Sequence, residues 1–546
     1  VTGVQTCALP IWGKGKHSVK YLFRVLYFAW GRGVRHHRDA LTCGGMLILN
    51  HVCTGPSMLV FWLLLLGIFT FIVVKRSVGG ITRTPVWMLW IVMMLPAFTL
   101  AAWVAVNGAE EPAPTSLLLA LFIACPILYW MLLQWGRLPS PKPPPSESGG
   151  TPDQAPSPPA KPALRPIDKE EEATLHRCFP WTVYYLKNIE YRPQAMICRG
   201  TLRASPTEAY ETVRANVRNN FGERFLVVFQ ESLSGQPVFA LVPNPKAQAK
   251  GRQPKQLARP GLALGLVLVT LFTTTAAGAY LGGITEVQLQ ETPELFFQGL
   301  PYALALIAIL GCHEMGHYLA ARRYNMDVTL PYFIPVPIFL GTFGAFIQIK
   351  SPLPNRRALF DVGIAGPLAG LVVTIPLLLW GLSLSEVVPM AAEGASLLSF
   401  ETLDPTASIL LALFSKLVMG ARLGTDQAIA LHPVAIAGYL GLVVTALNLM
   451  PVGQLDGGHI VHAMYGQRTG AVIGQVARLL VLLLVFVHLE LLIWAVLLFF
   501  IPAVDEPALN DVSELDDRRD MLGLLALTLL VLIIVPAPGI LARVLF

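Results

Sequence analysis

Several apolar runs of about twenty residues constrain this chain most, because a helix of that length spans the hydrocarbon core of a bilayer. Of the 546 residues, 54% are hydrophobic and 14% are charged, whereas soluble domains average about 25% charged residues. The mean hydropathy is +0.58. We therefore exclude a soluble globular protein, a nucleic-acid-binding protein and a disordered chain. The pattern predicts an all-α polytopic integral membrane protein in a lipid bilayer, with one small soluble insert.

The formal net charge of +6 comes entirely from the first 57 residues, which hold seven Lys/Arg and one acidic residue. The basic excess therefore indicates no nucleic-acid partner. The seven cysteines are scattered and form no Cys-x-x-Cys pair, so neither a disulfide framework nor a cysteine zinc site is expected.

The start of the chain is unlike the rest. Residues 1–11 read VTGVQTCALPI, which is typical of translated sequencing-adapter read-through. We expect residues 1–57 to be a sequencing artefact, with Met58 as the natural start, and exclude them from fold reasoning. A basic targeting arm is the alternative interpretation.

Composition divides the remainder into four regions. Residues 58–136 hold three predicted transmembrane helices, at 58–74, 86–106 and 116–133, and residues 137–167 form a Pro-rich linker. Residues 168–245 are predicted to be a small α+β domain, with a strand at 195–202, a helix at 207–220 capped by Ser205, and strands at 225–230 and 237–242. Its role is open between docking or regulation and a plain spacer. Residues 261–546 form the membrane core.

The distribution of Lys and Arg predicts the orientation of the core, since cytoplasmic loops are enriched in both. Basic residues flank the spans at 246–260, 322–323 and 356–357, and acidic loops lie at 286–294 and 386–404. The soluble domain is thus expected on the cytoplasmic side, in a bacterial cytoplasmic membrane. Further spans are predicted at 261–281, 300–321, 362–382, 433–450 and 521–544. Residues 409–419 are too short to span, and residues 472–501 fit one long span or two helices.

The sharpest motif is His313-Glu314-Met315-Gly316-His317, near the basic end of one predicted span. Residues four apart share one helix face, so both imidazoles can bind one Zn²⁺ while Glu314 acts as the general base. Ionisable groups inside a membrane helix are costly and usually functional. The alternatives are a metal-free polar cluster and a zinc-transport site.

Tetrahedral zinc in an enzyme needs a third protein ligand and one open position. Asp456 is the best candidate, because it lies at the basic end of a later span, at the same membrane depth. Its segment, from Asn448 to His459, is broken by Pro and Gly, which membrane proteins tolerate where the backbone lines a cavity. His459 is the competing ligand. His432 is too distant, and His462, His488 and Glu490 are expected to be packing or interface groups.

Together, the His-Glu-x-x-His helix and the later Asn…Leu-Asp-Gly segment resemble the site-2 protease family of intramembrane metalloproteases. Gly341-Thr342-Phe343-Gly344, Pro-Leu-Pro at 352–354 and Gly366-Pro367 resemble its chloroplast and cyanobacterial branch. The resemblance implies that His313, His317 and Asp456 bind one zinc per chain, that Glu314 is the acid/base, and that Asn448 holds the substrate or the developing oxyanion. It also favours substrate binding at residues 341–344.

Residues 333–349 are rich in strand formers with Gly and Pro, which predicts a membrane-embedded strand or a re-entrant segment. An open strand edge can bind an unwound substrate by β-augmentation; a plug that only closes the site is the alternative.

The leading functional hypothesis is an intramembrane zinc endopeptidase that cuts membrane-tethered proteins within or next to a transmembrane helix, with its active site toward the cytoplasm. A membrane zinc transporter or sensor using the same ligands is the second hypothesis. A zinc protease of another family, which takes its third ligand from a Glu, is the weakest.

Overall fold

The computed structural model describes residues 84–107, 169–244, 259–389, 402–485 and 501–546, apart from short gaps at 193–194, 233–234, 337–339, 425–426 and 503 and besides a few scattered positions. The predictions for residues 1–57, for the linker 137–167 and, for the most part, for the spans 58–74 and 116–133 lie outside this part of the chain.

The chain divides into two compact units, residues 11–158 and the remainder from Pro159 onward. The smaller unit contains helix α1, Val86–Asn107. Its length agrees with the predicted span at 86–106, and a window of this helix is apolar enough to cross a bilayer.

The soluble part of the larger unit is a four-stranded antiparallel sheet covered by a helix. Strand β2, Ala195–Leu202, and helix α3, Pro206–Phe221, agree with the prediction, and the Ser205 hydroxyl accepts the Glu208 amide at the helix N-terminus. The sheet order is β1-β2-β4-β3. The elements are α2 Lys169–Arg177, β1 Tyr184–Arg192, β2, α3, β3 Phe225–Glu231 and β4 Pro237–Pro243.

The observed order is therefore α-β-β-α-β-β, not the predicted β-α-β-β. Strand β1 was missed because its sequence, YYLKNIEYR, mixes charged and aromatic residues and most of its positions are partly or fully exposed. It is an edge strand that pairs only with β2 among the described strands. Val213, Phe229 and Phe239 are fully buried in the domain core.

The membrane core is helical and contains two small sheets. Five helices of the described residues, including α1, are long and apolar enough to span a bilayer, or six if one bent pair counts as one span. The chain is thus described as a polytopic membrane protein. The core helices are α4 Pro260–Leu281, α5 Glu286–Glu291, α6 Leu300–Arg323, α7 Arg356–Ser383, α8 Ile409–Met419, α9 Pro433–Leu449, α10 Asp456–Tyr465, α11 Gln467–Val485, α12 Asp517–Ile534 and α13 Gly539–Leu545.

Two core elements differ from the sequence prediction. The last predicted span, 521–544, is broken into α12 and α13, which meet at 82°; Pro536 and Pro538 lie at the break, and proline interrupts a helix. A three-stranded sheet in the order β7-β9-β8 was not predicted, because its strands are two to four residues long and pair over long sequence distances. They are β7 Glu386–Pro389, β8 Thr402–Leu403 and β9 Gln427–Ala430.

The predicted embedded strand is a β-hairpin between α6 and α7. Strands β5, Tyr332–Pro335, and β6, Thr342–Phe346, pair antiparallel. The hairpin is anchored to α4, where the Thr273 hydroxyl donates to the Gly341 carbonyl at 2.7 Å. It is anchored to α6 by the Tyr302 hydroxyl, which donates to the Leu340 carbonyl at 3.1 Å.

The long helix α12 is fastened to the core by a polar clamp. Arg519 makes two parallel bonds to the Asp361 carboxylate, at 2.7 and 2.8 Å, the planar geometry that guanidinium groups favour. The Tyr324 hydroxyl donates to the same carboxylate at 2.6 Å. One carboxylate on α7 therefore joins the end of α6 to the start of α12.

Candidate metal centre

Helix α6 carries the first half of the site. His313 and His317, one turn apart, are both buried, and their Nε2 atoms lie 3.1 Å from each other. Two ring nitrogens this close cannot both carry a proton without repulsion. At least one of the two nitrogens therefore presents a lone pair, and both lie on one face of the helix, as the sequence spacing predicts.

Asp456, the first residue of α10, supplies the second half. Its Oδ2 lies 3.4 Å from His313 Nε2 and 3.3 Å from His317 Nε2. The turn that presents it depends on Gly457 and Gly458, because a Cβ at either position would collide with backbone carbonyls between residues 449 and 453. The Gly-Gly pair thus lets α10 start close to the end of α9 and brings Asp456 to the histidines.

Helix α7 orients the histidines from the other side. His317 Nδ1 lies 2.7 Å from the Val362 carbonyl, which can only accept, so Nδ1 carries the proton and Nε2 is left as a metal ligand. A Cβ on Gly366 would fall onto the His317 ring, and one on Gly370 would come within 3.2 Å of His313. These two glycines provide the space that the imidazoles occupy.

The three residues fit a zinc ion. Their ligating atoms all lie within 4.8 Å of one another, and all three side chains are buried. Neither Asp456 carboxylate oxygen has a hydrogen-bond partner within the described part of the chain. A buried carboxylate without such partners is costly, and a cation between it and the histidines removes that cost. Two His and one carboxylate are also the ligand chemistry of catalytic zinc.

Two other predicted residues lie next to this cluster. Glu314 is buried on α6 between the two histidines in sequence, and Asn448 is buried near the end of α9. The Asn448 side-chain nitrogen lies 3.4 Å from His313 Nε2. The structure thus brings the amide group to the cluster, while the catalytic roles of both residues remain predictions.

The predicted substrate segment, Gly341 to Gly344, forms the end of the hairpin turn and the start of β6. Gly341 has a φ of 81°, and a Cβ there would collide with the α4 backbone at Thr273 and Thr274. The Phe343 side chain is 70% exposed. Phe333 on β5 faces α6 at Gly311, two residues before His313. The hairpin therefore lies beside the helix of the metal cluster, and its role in substrate binding stays a prediction.

The remaining histidines have separate roles. His432 caps α9 by accepting the Val434 amide, and His488 lies outside the described residues. His459, the competing ligand, is bonded through Nδ1 to Asp505 at 2.8 Å and is absent from the three-residue metal cluster.

His462, expected to be a packing group, instead belongs to a buried polar network that the sequence analysis missed. Its Nδ1 lies 2.7 Å from Asp505 and its Nε2 lies 2.9 Å from Asp511. Arg356 Nε lies 3.3 Å from the same Asp511 oxygen. We call His459, His462, Asp505, Asp511 and Arg356 the basal network. No local sequence pattern predicts the basal network, because the aspartates follow the histidines by more than 40 residues.

A buried His-x-x-x-His pair on one helix and an Asp on another are the ligand types of a catalytic zinc site in a metallopeptidase. Residues 301–492 match the family model "Peptidase family M50", so this part of the chain is similar to the M50, or site-2 protease, family. A second model, "EGY3 middle domain", matches residues 173–249, which is the soluble domain.

Similar proteins from Arabidopsis thaliana point to the same branch of the family. The chain is 30% identical over 373 residues to "Probable zinc metalloprotease EGY2, chloroplastic", covering 66% of this chain and 63% of that protein. It is 33% identical over 322 residues to "Probable zinc metalloprotease EGY1, chloroplastic", covering 54% of this chain and 58% of that protein. The resemblance to the chloroplast branch is confirmed.

The chain thus spans slightly less than two thirds of the length of these relatives. The relatives are named chloroplastic, so they give no support to a bacterial membrane. No solved structure matches the chain.

Proposed function

We propose that the chain is an intramembrane zinc endopeptidase that hydrolyses peptide bonds within or next to the transmembrane segments of membrane-tethered proteins. The observation that carries the proposal is the buried cluster of His313, His317 and Asp456, whose ligating atoms converge within 4.8 Å. The M50 match and the relatives named zinc metalloproteases support it. One zinc ion per chain is proposed, because the described residues form one such cluster.

His313, His317 and Asp456 would hold a zinc ion, which would supply a Lewis acid to polarise the scissile carbonyl and to activate water near neutral pH. Glu314 takes the proton from the attacking water and passes it to the leaving amine. The Asn448 side-chain amide, close to His313 Nε2, donates to the oxyanion that develops on the carbonyl. The burial of the cluster excludes bulk water from these groups.

The substrate is proposed to bind as an extended strand, because a helical segment hides its scissile carbonyl in its own hydrogen bonds. The hairpin β5–β6 lies beside α6 and carries backbone donors and acceptors at its edge. Residues 341–344 are proposed to contact the unwound segment, with the exposed Phe343 ring as an apolar anchor.

The proposed membrane orientation places the cluster on the side that carries the soluble domain. His317 lies within two turns of Arg322 and Arg323 at the end of α6, and Arg356 at the start of α7 shares the basal network with the segment that contacts the soluble domain. The positive-inside rule makes this side cytoplasmic in a bacterial membrane; a chloroplast membrane is the alternative that the relatives' names suggest.

The test compares the membrane proteomes of cells making the wild-type chain, Glu314→Gln and the matched control Glu294→Gln. Glu294 undergoes the same chemical change but is exposed in the loop between α5 and α6. We expect single-span proteins to accumulate uncut in Glu314→Gln and to yield soluble fragments in the other two strains, while all three purified proteins retain zinc.

A zinc transporter or sensor is the competing function, since it uses the same ligands and needs no base at Glu314. Identical proteomes in the three strains, with zinc retained in each protein, would contradict the protease proposal and favour transport. Zinc uptake into vesicles containing the purified chain would then be the direct measurement.

A further inference from the structure

The soluble domain is joined to the membrane core by two isolated parallel β-bridges, Phe229 with Asn510 and Asn355 with Asn510. The Phe229 amide on β3 donates to the Leu509 carbonyl at 2.7 Å, and the Asp511 amide donates back to the Phe229 carbonyl at 2.8 Å. On its other side, the Leu509 amide donates to the Leu353 carbonyl at 2.8 Å and the Asn510 amide to the Pro354 carbonyl at 3.1 Å. The segment 509–511 is therefore bonded through its backbone both to the soluble sheet and to the chain that enters α7.

Side chains strengthen this junction. Leu509 and Val512 pack against the core of the soluble domain. The hydroxyls of Thr207, at the start of α3, and Ser513 lie 3.1 Å apart. The domain is thus held by backbone bonds and apolar packing, which a domain acting only as a spacer does not require.

The same segment reaches the metal site through the basal network. The Asp511 carboxylate, buried on the side of the core, lies 2.9 Å from His462 Nε2. His462 Nδ1 and His459 Nδ1 in turn share one oxygen of Asp505, at 2.7 and 2.8 Å. Helix α10 is therefore bonded to Asp505 through two histidines and to Asp511 through one of them.

Helix α10 is short and begins with Asp456 itself. His459 is one turn from Asp456, and His462 is less than two turns away, so a displacement of the network moves the carboxylate with the helix. Close packing leaves α10 little room to adjust to such a displacement, because a Cβ on Gly363 of α7 would come within 3.1 Å of the His459 Cβ. Shifts of about 1 Å at a catalytic group are costly.

We propose that the soluble domain is a positioning element for the metal site, and that Asp511 is the residue through which docking of this domain fixes Asp456. The inference rests on the proposed function only in assigning Asp456 as a metal ligand. Asp511 and His462 are positioning residues, because they act on the metal through α10.

The test uses the full-length chain in detergent, loaded with Co²⁺, whose visible absorption spectrum reports the geometry of the ligands. Asp511→Asn removes the negative charge that faces His462. Leu509→Asp places a charge where the Leu509 side chain packs against the core of the soluble domain. Glu514→Gln is the matched control, because this exposed acid lies three residues after Asp511.

We expect both Asp511→Asn and Leu509→Asp to change the Co²⁺ spectrum and to weaken Co²⁺ affinity by about 10-fold, the lower end of the loss that follows removal of a direct partner of a metal ligand, because both act through α10. Glu514→Gln should match the wild type. Asp511→Glu should restore part of the affinity, since it returns a carboxylate to His462.

Faster hydrogen exchange of the amides 225–231 in Leu509→Asp first shows that this variant disturbs the docking of the soluble domain. If either variant then keeps the wild-type Co²⁺ spectrum and affinity, the inference is overturned. Failure of the proposed function gives a different result: the proteomes in the Glu314→Gln comparison would match while the Co²⁺ measurements stay valid. If the metal assignment itself fails, the wild-type chain would bind neither Co²⁺ nor Zn²⁺. In that case, the coupling between the soluble domain and α10 is measured by hydrogen exchange. The exchange rate of the α10 amides 457–465 must rise in Leu509→Asp if the domain holds this helix.

Discussion

The protein contains two buried clusters of His and Asp that both include residues of the short helix α10, and they are built in opposite ways. In the metal cluster, the Asp456 oxygens approach two imidazoles without any hydrogen-bond partner among the described residues. In the basal network, Asp505 and Asp511 are bonded to histidine nitrogens at 2.7–2.9 Å. Similar residue types therefore serve different purposes, and the unsatisfied carboxylate is what distinguishes a ligand set from a structural one.

The comparison is sharpest when a ligand is removed from the first cluster. Asp456→Asn replaces an anionic ligand by a neutral amide. We expect zinc affinity to fall by more than the roughly 100-fold upper range for outer partners, with loss of any proteolysis. Zinc titration of the purified variant measures this. A variant that keeps wild-type affinity would exclude Asp456 as a ligand and return His459 to consideration.

The second prediction concerns the space around the ligands. Gly366→Ala places a methyl group on the His317 ring, so we expect displacement of the imidazole and a loss of zinc affinity of about 10- to 100-fold. Gly265→Ala on α4, where a Cβ meets nothing within 4 Å, is the matched control and should be neutral or slightly stabilising. Equal zinc affinity in both variants would contradict the close packing of α7 on α6.

In the basal network, Asp505→Asn should destabilise the fold more than it weakens the metal site. It removes the charge that balances His462, and breaking a buried, hydrogen-bonded pair costs about 3 kcal/mol. Glu506→Gln, at the exposed neighbouring position, should change the free energy of unfolding by less than about 0.5 kcal/mol. Chemical denaturation in detergent measures the free energy of unfolding of both variants. Equal stability would mean that the bonds of Asp505 to the histidines make no net contribution to the stability of the fold.

The basal network also predicts a pH dependence with a defined sign. Burial lowers the pKa of His462, but the hydrogen bonds to Asp505 and Asp511 outweigh it and raise this pKa to about 9. Burial likewise raises the pKa of Asp505, but His459 and His462 outweigh it and lower this pKa to about 2. The charged imidazole thus faces two carboxylates, with Arg356 on the second.

Because the folded pKa of His462 lies above its unfolded value, its stabilisation is complete below pH about 6.5 and is lost as the pH rises through about 9. Exchange of the amides 225–231, followed from pH 6 to pH 9.5 and corrected for intrinsic rates, should report progressive undocking of the soluble domain. His462→Gln should remove this dependence. A flat profile in the wild type would contradict a charged His462.

The sequence predicted the metal cluster better than it predicted the basal network, for a geometric reason. The i, i+4 spacing of His313 and His317 fixes their face on α6, and matching membrane depth pointed to Asp456. The network joins His459 and His462 to aspartates that lie 43–49 positions later in the chain, and no periodicity encodes such contacts.

The same distinction explains the outcomes for the fold. Strands with a short apolar run, such as Phe225–Glu231, were predicted from their local pattern, whereas the edge strand Tyr184–Arg192 was hidden by its charged residues. The short strands at 386–389, 402–403 and 427–430 depend on long-range pairing. The bend after Ile534 did have a local signal, the two prolines at 536 and 538, which the reading of one continuous span overlooked.

The close contact between α6 and α7 limits how this molecule can admit a substrate. Gly316 on α6 faces the Ala365 carbonyl and the Ala369 methyl group, while Gly366 and Gly370 on α7 face the two imidazoles. Neither helix can slide along the other without driving a side chain into backbone or ring atoms. Helices α6 and α7 should therefore move together as one rigid unit. An attempt to change which peptides the proposed protease admits should alter the hairpin and α4 instead.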